Sequence, residues 1–269
     1  MTEPRGLIAP LFVPADRPER FGKAATSGAD AVIIDLEDAV APAAREAARQ
    51  RIAAALPAAP VIIRVNAPGT PWHDGDIDLI RRLGAVGVML AKAEDPAAIT
   101  AIAQRLKGSH RIIIPLIETA LGVHRAVAIA AAAGVVQLAF GPADFRNDIG
   151  CGEAPEAMLL ARSSLVLASR LAGLPAPLDG PCFDFRDAEK TVQEARHARM
   201  LGFGGKLCIH PNQVKWVRDA FRPSAAEVAW ARKVLAVEAG GAAANLDGTM
   251  IDAPVVARAQ RILEIAEAL

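Results

Sequence analysis

Two apolar runs decide the fold of this chain: Arg111-Ile-Ile-Ile-Pro-Leu-Ile-Glu-Thr119 and Val135-Val-Gln-Leu-Ala-Phe-Gly-Pro-Ala-Asp144. The Ala-rich span Ala120–Ala133 between them favours a helix, so the pattern predicts a strand–helix–strand unit with parallel strands. Glu118 and Asp144 stand at the two strand ends. They are therefore predicted to meet at the carboxyl edge of the sheet, where ligands bind in α/β folds.

Glu118 and Asp144 are the candidate metal ligands of the sequence. Hard carboxylate oxygens on neighbouring strand ends suit Mg²⁺, whose remaining positions are filled by water and substrate. An acid after a strand can instead simply cap the helix that follows it. The residues alone leave both interpretations open.

Runs of this kind recur eight times. The segments between them, such as Arg45–Leu56 and Glu189–Leu201, consist of good helix formers. Continuous apolar runs are typical of parallel strands buried on both faces, and eight repeats predict a (β/α)₈ TIM barrel over residues 1–222. An open doubly wound sheet is the alternative, although no GxGxxG follows the first strand. The predicted strands are Leu7–Val13, Ala31–Leu36, Val61–Val65, Gly87–Leu90, Ile112–Ile117, Val135–Phe140, Ala176–Leu178 and Lys206–Ile209.

Residues 223–269 follow the eighth strand and are predicted to form a C-terminal helical extension that packs at a subunit interface. Ser224 is a candidate helix cap, and a small-residue loop, Gly240–Gly248, separates two helices. Asp252 follows that loop within Met250-Ile-Asp-Ala-Pro, where its apolar neighbours favour burial at a subunit contact. The alternative is that Asp252 caps the last helix.

The composition disfavours several classes of partner. Thirty Lys and Arg balance thirty Asp and Glu, which gives no electrostatic case for nucleic acid or an anionic membrane. Aromatic residues make up 4% and tyrosine is absent, which disfavours base-stacking surfaces. Three cysteines without close spacing indicate neither a zinc site nor a disulfide framework and favour a reducing cytoplasm. No apolar run is long enough to predict a membrane span, and no signal-peptide pattern opens the chain.

Two further strand ends carry charged residues. Glu37 is predicted to accept hydrogen bonds from metal-bound water, and Asp38 to cap the next helix. Arg64 interrupts an apolar strand, and its planar guanidinium suits bidentate recognition of a substrate carboxylate. A structural ion pair of Arg64 with Asp35 or Glu37 is the alternative.

Four more residues are candidates near the strand ends. Lys92 is predicted to pair with neighbouring acids. His210 is either a general base or a structural histidine. Gly141 allows a ligand to approach the backbone closely, so Gly141 and Pro142 beside it are candidate substrate-binding residues.

Several segments, in order from Leu11 to about Arg261, together form a specific pattern. They are Leu11-Phe-Val-Pro-Ala-Asp-Arg-Pro-Glu-Arg-Phe, Val32-Ile-Ile-Asp-Leu-Glu-Asp-Ala-Val, Arg64-Val-Asn, Lys92-Ala-Glu, Pro115-Leu-Ile-Glu-Thr-Ala-Leu-Gly, Phe140-Gly-Pro-Ala-Asp-Phe, Gly205-Lys-Leu-Cys-Ile-His-Pro-Asn-Gln and Met250-Ile-Asp-Ala-Pro-Val. In these segments the chain resembles the HpcH/HpaI aldolase and citrate lyase family, specifically its citrate lyase beta-subunit-like branch.

The resemblance implies a TIM barrel that binds Mg²⁺ through Glu118 and Asp144 and holds the carboxyl group of an α-keto acid with Arg64. It implies cleavage or formation of carbon–carbon bonds in malyl-, citramalyl- or citryl-type thioesters of coenzyme A or an acyl carrier protein. It further implies a homotrimer or hexamer in which Asp252 reaches a neighbour's active site, where it is the candidate acid–base group.

Two departures from the family pattern matter. The Arg-Ser pair that precedes the first motif in many relatives is missing, and Ala91 replaces the proline often found before Lys92. The first departure suggests a stand-alone enzyme rather than a subunit of a citrate lyase complex. Two alternatives remain on the same scaffold: a thioester hydrolase and a non-catalytic thioester-binding subunit.

Overall fold

A computed structural model describes residues 6–83, 87–107, 112–238, 244–246 and 249–268. The chain divides into two compact units, Met1–Val217 and Arg218–Leu269. The sequence prediction placed the division after residue 222. No helix in the described ranges combines the length and the apolar character needed to cross a bilayer.

The first unit is organised around eight parallel strands that pair in chain order. Backbone hydrogen bonds also join the last strand to the first: Lys206 N–H donates to the Ile8 carbonyl (2.8 Å) and Phe12 N–H donates to the Cys208 carbonyl (2.8 Å). The sheet therefore closes, and the predicted (β/α)₈ barrel is confirmed. The strands are β1 Leu11–Pro14, β2 Val32–Asp35, β3 Val61–Val65, β4 Gly87–Leu90, β5 Ile113–Ile117, β6 Ala139–Phe140, β7 Leu178–Asp179 and β8 Gly205–Lys206.

Only β3 and β4 have the predicted bounds, and β1, β6 and β8 differ most from their predictions. β1 starts at Leu11 rather than Leu7, because the N–H groups of Ile8 and Ala9 are bound by the Asp30 carboxylate (2.9 and 2.6 Å) and Pro10 has no N–H. β6 is shorter than the apolar run before it, and β8 is shifted toward the N-terminus of its predicted run.

The helices follow the strands in alternation. The predicted helical spans Arg45–Leu56 and Glu189–Leu201 correspond to single helices, whereas Ala120–Ala133 holds two short helices that meet at Arg125. The α-helices that follow the strands are α1 Phe21–Ala25, α2 Arg45–Ala55, α3 His73–Leu83, α4 Pro96–Arg105, α5 Ala120–His124, α6 Ala126–Ala130, α7 Pro142–Ile149, α8 Leu159–Leu171, α9 Ala188–Met200 and α10 Pro211–Phe221.

Apolar side chains fill the barrel interior and support the site above them. The buried members of this core are Ala31, Ile33, Ile62, Met89, Ile114, Leu116, Ala139, Leu178 and Leu207, with Phe12 packed against them. Side chains alternate across a strand, so Arg64 shares the inner face with Ile62, and Glu118 shares it with Leu116. Both charged residues therefore stand on the apolar core at the carboxyl end of the barrel.

The second unit consists of two helices and a small hairpin: α11 Ala225–Glu238, β9 Ala244–Leu246, β10 Thr249–Ile251 and α12 Ala253–Ala268. The predicted Ser224 cap is present, because Ser224 Oγ accepts the Glu227 N–H (3.1 Å) and the Glu227 carboxylate accepts the Ser224 N–H (2.8 Å). Strand β9 falls within the predicted loop Gly240–Gly248, whose other residues lie outside the described ranges.

Candidate active site

Asp35 organises the turn after β2. Its buried carboxylate accepts the N–H groups of Glu37 (2.9 Å) and Ala39 (3.0 Å). The expected helix cap at Asp38 is wrong: α2 and the 3₁₀ turn before it begin without a side-chain cap. Because Asp35 already binds the free N–H groups of this turn, Asp38 remains exposed, with its Oδ2 3.4 Å from Arg64 Nη1.

Arg64 is held by acids on two sides. Its Nε and Nη2 form a bidentate pair with Asp35 (2.7 and 2.6 Å), and its Nη1 lies 3.0 Å from Glu37 Oε2. Burial lowers the pKa of Arg64, but Asp35 and Glu37 outweigh that effect and raise the pKa above its usual value. The ion pair that the sequence left as an alternative is therefore present. Arg64 also lines the cavity described below, so both interpretations of this residue remain compatible with its position.

Glu37 and Lys92 form the second ion pair of the site, with Nζ 2.8 Å from Oε1. The predicted pairing of Lys92 with an acid is thus observed. Burial raises the pKa of Glu37, and Arg64 and Lys92 only partly offset this effect. Lys92 also adopts a left-handed backbone (φ 47°), which is costly for a residue with a Cβ. Its N–H donates to Glu118 Oε1 (2.7 Å), so the unusual backbone orients a donor toward the candidate metal ligand.

Glu118 is almost fully buried, with 1% of its surface exposed. Burial raises its pKa to about 8, and the charges of Glu37 and Asp144 act in the same direction. Gly141 lies directly beside it: a Cβ at residue 141 would fall 2.6 Å from Glu118 Cβ and would also contact its Oε2. The glycine therefore leaves the space that the Glu118 side chain occupies.

Asp144 lies in the first turn of α7, which begins with Pro142 and so needs no N–H at that position. Its carboxylate has no hydrogen-bond or ion-pair partner among the residues that the structure describes. The Asp144 charge is close enough to raise the pKa of the deeply buried Glu118. Two carboxylates placed in this way fit a divalent cation that neutralises both charges. Within the same residues, no group of three His, Cys, Asp or Glu side chains could ligate a metal, so water and substrate would complete the coordination of Mg²⁺.

A cavity of about 350 Å³ brings the candidates together. Five predicted site residues line it: Arg64, Glu118, Gly141, Pro142 and Asp144. Glu37 stands behind Arg64 and contacts it. The apolar floor consists of Phe12, Leu116 and Leu207, and the Phe12 ring centroid lies 5.0 Å from the Arg64 guanidinium carbon.

Two candidates have local structural contacts. His210 is not among the lining residues. Its ring stacks on Phe185 (5.1 Å between centroids) and its Nδ1 accepts the Asn212 N–H (3.2 Å), which fits the structural interpretation. In the second unit, Asp252 Oδ1 accepts the Val255 N–H (3.2 Å), so Asp252 caps α12, as the alternative expected.

The sequence interpretation missed a buried support behind β3. Asn66 donates to the Leu36 carbonyl (3.1 Å) and to Asp76 Oδ2 (2.7 Å), and so connects the Asp35–Glu37 turn to α3. Burial raises the pKa of Asp76. An acid next to Ile77 on the buried face of an amphipathic helix is a signal that could have revealed this network.

Comparisons with known proteins match most of the length of this chain. The family model described as HpcH/HpaI aldolase/citrate lyase matches residues 9–211, which include every residue lining the cavity. A citrate lyase subunit beta-like protein of Mycobacterium tuberculosis is 40% identical over 265 residues, covering 95% of this chain and 94% of that protein. The mitochondrial citramalyl-CoA lyase of Rattus norvegicus is 30% identical over 292 residues, which cover 97% of this chain and 86% of that protein.

Among solved structures, a crystal structure of a related protein resembles this chain over nearly its whole length. It is the crystal structure of CitE from Mycobacterium tuberculosis in complex with magnesium, acetoacetate and coenzyme A. The match has a TM-score of 0.87 and 38% sequence identity, and it covers 97% of this chain and 98% of that one. The predicted resemblance and the predicted barrel thus agree with independent findings on related proteins.

Proposed function

The chain belongs to the HpcH/HpaI aldolase/citrate lyase family, and we propose that it is a Mg²⁺-dependent carbon–carbon lyase that cleaves a hydroxyacyl thioester into an α-keto acid and an acyl thioester. One observation carries this proposal: Glu118, Asp144 and Arg64 line a single cavity at the mouth of the barrel. Two acids for a cation and a guanidinium for a carboxylate are the groups that retro-aldol cleavage of such a substrate requires.

Glu118 and Asp144 would hold the Mg²⁺ ion. When bound, the ion would act as a Lewis acid on the hydroxyl oxygen of the substrate, which becomes the keto oxygen of the product. Two neighbours position the Glu118 carboxylate. The Lys92 N–H binds one of its oxygens, and Gly141 leaves room for the other. The magnesium in the solved relative supports the same assignment.

Arg64 would orient the substrate carboxylate. Asp35 occupies the Nε–Nη2 edge of the guanidinium and fixes its plane. Nη1 lies 3.0 Å from Glu37 Oε2 and 3.4 Å from Oδ2 of the exposed Asp38. The longer of these contacts, to Asp38, is the one that a substrate carboxylate can replace. Glu37 holds Lys92 and Arg64 in place, and we assign its carboxylate to bind a water molecule at the site.

Carbon–carbon cleavage leaves an electron pair on the carbon next to the thioester, and this carbon needs a proton. We assign Asp252 of a neighbouring subunit to this step. One of its oxygens caps α12, which leaves the other oxygen for proton transfer. Met250, two residues earlier, is 76% exposed, and burial at a subunit contact would shield it. The assignment requires an oligomer, and we propose a homotrimer or hexamer.

The carrier is proposed to be coenzyme A or an acyl carrier protein. Coenzyme A in the solved relative and the citramalyl-CoA lyase relative support the first. We also propose a cytoplasmic location, because Cys151, Cys182 and Cys208 are all free thiols.

A thermal-shift screen tests the proposal. We expect Mg²⁺ to raise the melting temperature, and α-keto acids or acyl thioesters to raise it further only when Mg²⁺ is present. A ligand at a hundred times its Kd adds about 2.7 kcal/mol of stability. The Glu118→Gln variant serves as control and should lose both shifts. Equal shifts with and without Mg²⁺, or none at all, would contradict the proposed site.

A further inference from the structure

Resting on the proposed lyase function, we infer that the keto acid released by this enzyme carries a single carboxylate. Besides its hydroxyl group, the hydroxyl-bearing carbon of the substrate has three substituents: the carboxylate, the carbon next to the thioester, and a third group. This third substituent is then hydrogen or a small alkyl group rather than a carboxymethyl group. The substrate is thus a malyl- or citramalyl-type thioester and not a citryl-type one. Three features of the cavity support this inference: its charge, its floor and its rim.

The charge of the cavity disfavours a second substrate carboxylate. Four acids line it, namely Asp35, Asp38, Glu118 and Asp144, whereas Arg64 is the single cation among the described lining residues. Asp35 already binds Arg64 through two hydrogen bonds. Lys92, the other cation near these acids, is paired with Glu37. One substrate carboxylate can share Arg64, but a second would find no further cationic side chain among the described lining residues.

The floor of the cavity is apolar. Phe12, Leu116 and Leu207 form it, and they belong to or pack against the barrel core. A carboxylate placed on this floor would lose water without gaining a hydrogen-bond donor, which is costly for a charged group. A hydrogen atom or a methyl group loses nothing there, and a methyl group gains contacts with three apolar side chains.

The rim of the cavity is also apolar. Pro181 and Phe183 line it in the segment after β7, and Phe183 is 57% exposed. A lysine or arginine at this position could have paired with a carboxymethyl group that extends toward the opening. Phe183 instead continues the apolar surface outward.

The chemistry balances without a further reactant. The bond between the hydroxyl-bearing carbon and the carbon next to the thioester breaks, and its electron pair stays on the latter. The hydroxyl group loses its proton and becomes the keto group, while the carbon next to the thioester gains a proton. Only the third substituent, which takes no part in these bond changes, distinguishes the substrates.

Two measurements on the full-length protein test the inference. Titration calorimetry with Mg²⁺ present should show that pyruvate binds at least about tenfold more tightly than oxaloacetate, which corresponds to about 1.4 kcal/mol. Citramalyl-CoA should likewise be cleaved with a kcat/KM at least about tenfold higher than citryl-CoA. Equal or tighter binding of oxaloacetate, together with faster cleavage of citryl-CoA, would overturn the inference but leave the lyase function intact. If neither keto acid binds and neither thioester is cleaved, the proposed function fails and the inference fails with it.

A charge introduced at the rim tests the physical cause. Phe183→Arg places a cation beside the cavity at an exposed position, so the fold should tolerate it. We expect the preference for pyruvate over oxaloacetate to fall at least about fivefold. Phe185→Arg is the matched control, because Phe185 does not line the cavity and stacks on His210; its preference should equal that of the wild type. An unchanged preference in Phe183→Arg, or equal changes in both variants, would contradict the electrostatic cause.

Discussion

Gly141→Ala should remove most of the activity through a single added methyl group. The new Cβ would lie 2.6 Å from Glu118 Cβ, whereas carbon atoms in contact lie about 3.5–4.0 Å apart. Glu118 must therefore move by roughly 1 Å, and a misplacement of that size at a catalytic site costs about a hundredfold in rate. The extra volume in a packed region should also lower the stability by about 1–3 kcal/mol.

The assay for this variant combines kcat/KM with the Mg²⁺ concentration that gives half-maximal activity, and circular dichroism reports the folded fraction. Gly152→Ala is the matched control, since a Cβ there would meet nothing within 4 Å and φ at this glycine is not positive. We expect the control to behave as the wild type. A folded Gly141→Ala protein with wild-type kcat/KM and an unchanged Mg²⁺ requirement would refute the role of Glu118.

Four further predictions follow from the site. Glu118→Gln and Asp144→Asn should each abolish Mg²⁺-dependent cleavage without unfolding the protein, so wild-type turnover in either would contradict the metal assignment. Arg64→Lys should raise KM and lower kcat because lysine cannot present a bidentate fork; a collapsed melting transition would instead show that the pair with Asp35 is chiefly structural. Since the pKa of Glu118 is raised to about 8 and the metal binds only its ionised form, Mg²⁺ affinity should rise with pH up to about 8 and then level off. The folded metal-free protein keeps a proton on Glu118 that the unfolded chain releases, so its stability should fall as the pH rises toward about 8 and level off above that value. Melting temperatures with and without Mg²⁺ between roughly pH 6 and 9, about two pH units below this pKa and one above, check both trends. Mixing inactive Asp252→Ala with inactive Glu118→Gln should restore activity if subunits share sites, whereas no recovery despite verified subunit exchange would exclude a shared site.

The barrel was predictable because its signal is repeated and local. Each strand is a continuous apolar run, and each run is followed by helix-forming residues, so eight weak signals reinforce one another. The hairpin of the second unit, Ala244–Leu246 with Thr249–Ile251, carried no comparable signal. Its strands are three residues each and lie within a stretch rich in small residues, where neither alternation nor a long apolar run is visible.

The candidate ligands were predictable, whereas their support was not. Glu118 and Asp144 end recognisable strands, and parallel strand ends must meet at one edge. The donor that holds Glu118 is the backbone N–H of Lys92. This N–H is oriented by the left-handed backbone of Lys92, and a lysine in the sequence gives no sign of that conformation. The sequence offered Asp35 or Glu37 as an ion-pair partner of Arg64, but it could not show that Asp35 would occupy one whole edge of the guanidinium. Such contacts depend on strand register, and register becomes visible only in three dimensions.

Parallel measurement of keto-acid release and free-thiol release tests the central claim most directly. The substrate is a hydroxyacyl thioester such as citramalyl-CoA, and each reaction is run with Mg²⁺ and again with a chelator. We predict that one molecule of α-keto acid forms for each molecule of thioester consumed and that no free thiol appears. The chelator should abolish both keto-acid formation and thioester consumption. Release of free thiol without keto acid would contradict carbon–carbon cleavage and identify a hydrolase, and keto-acid release that persists in the chelator would contradict the role of Glu118 and Asp144 as metal ligands.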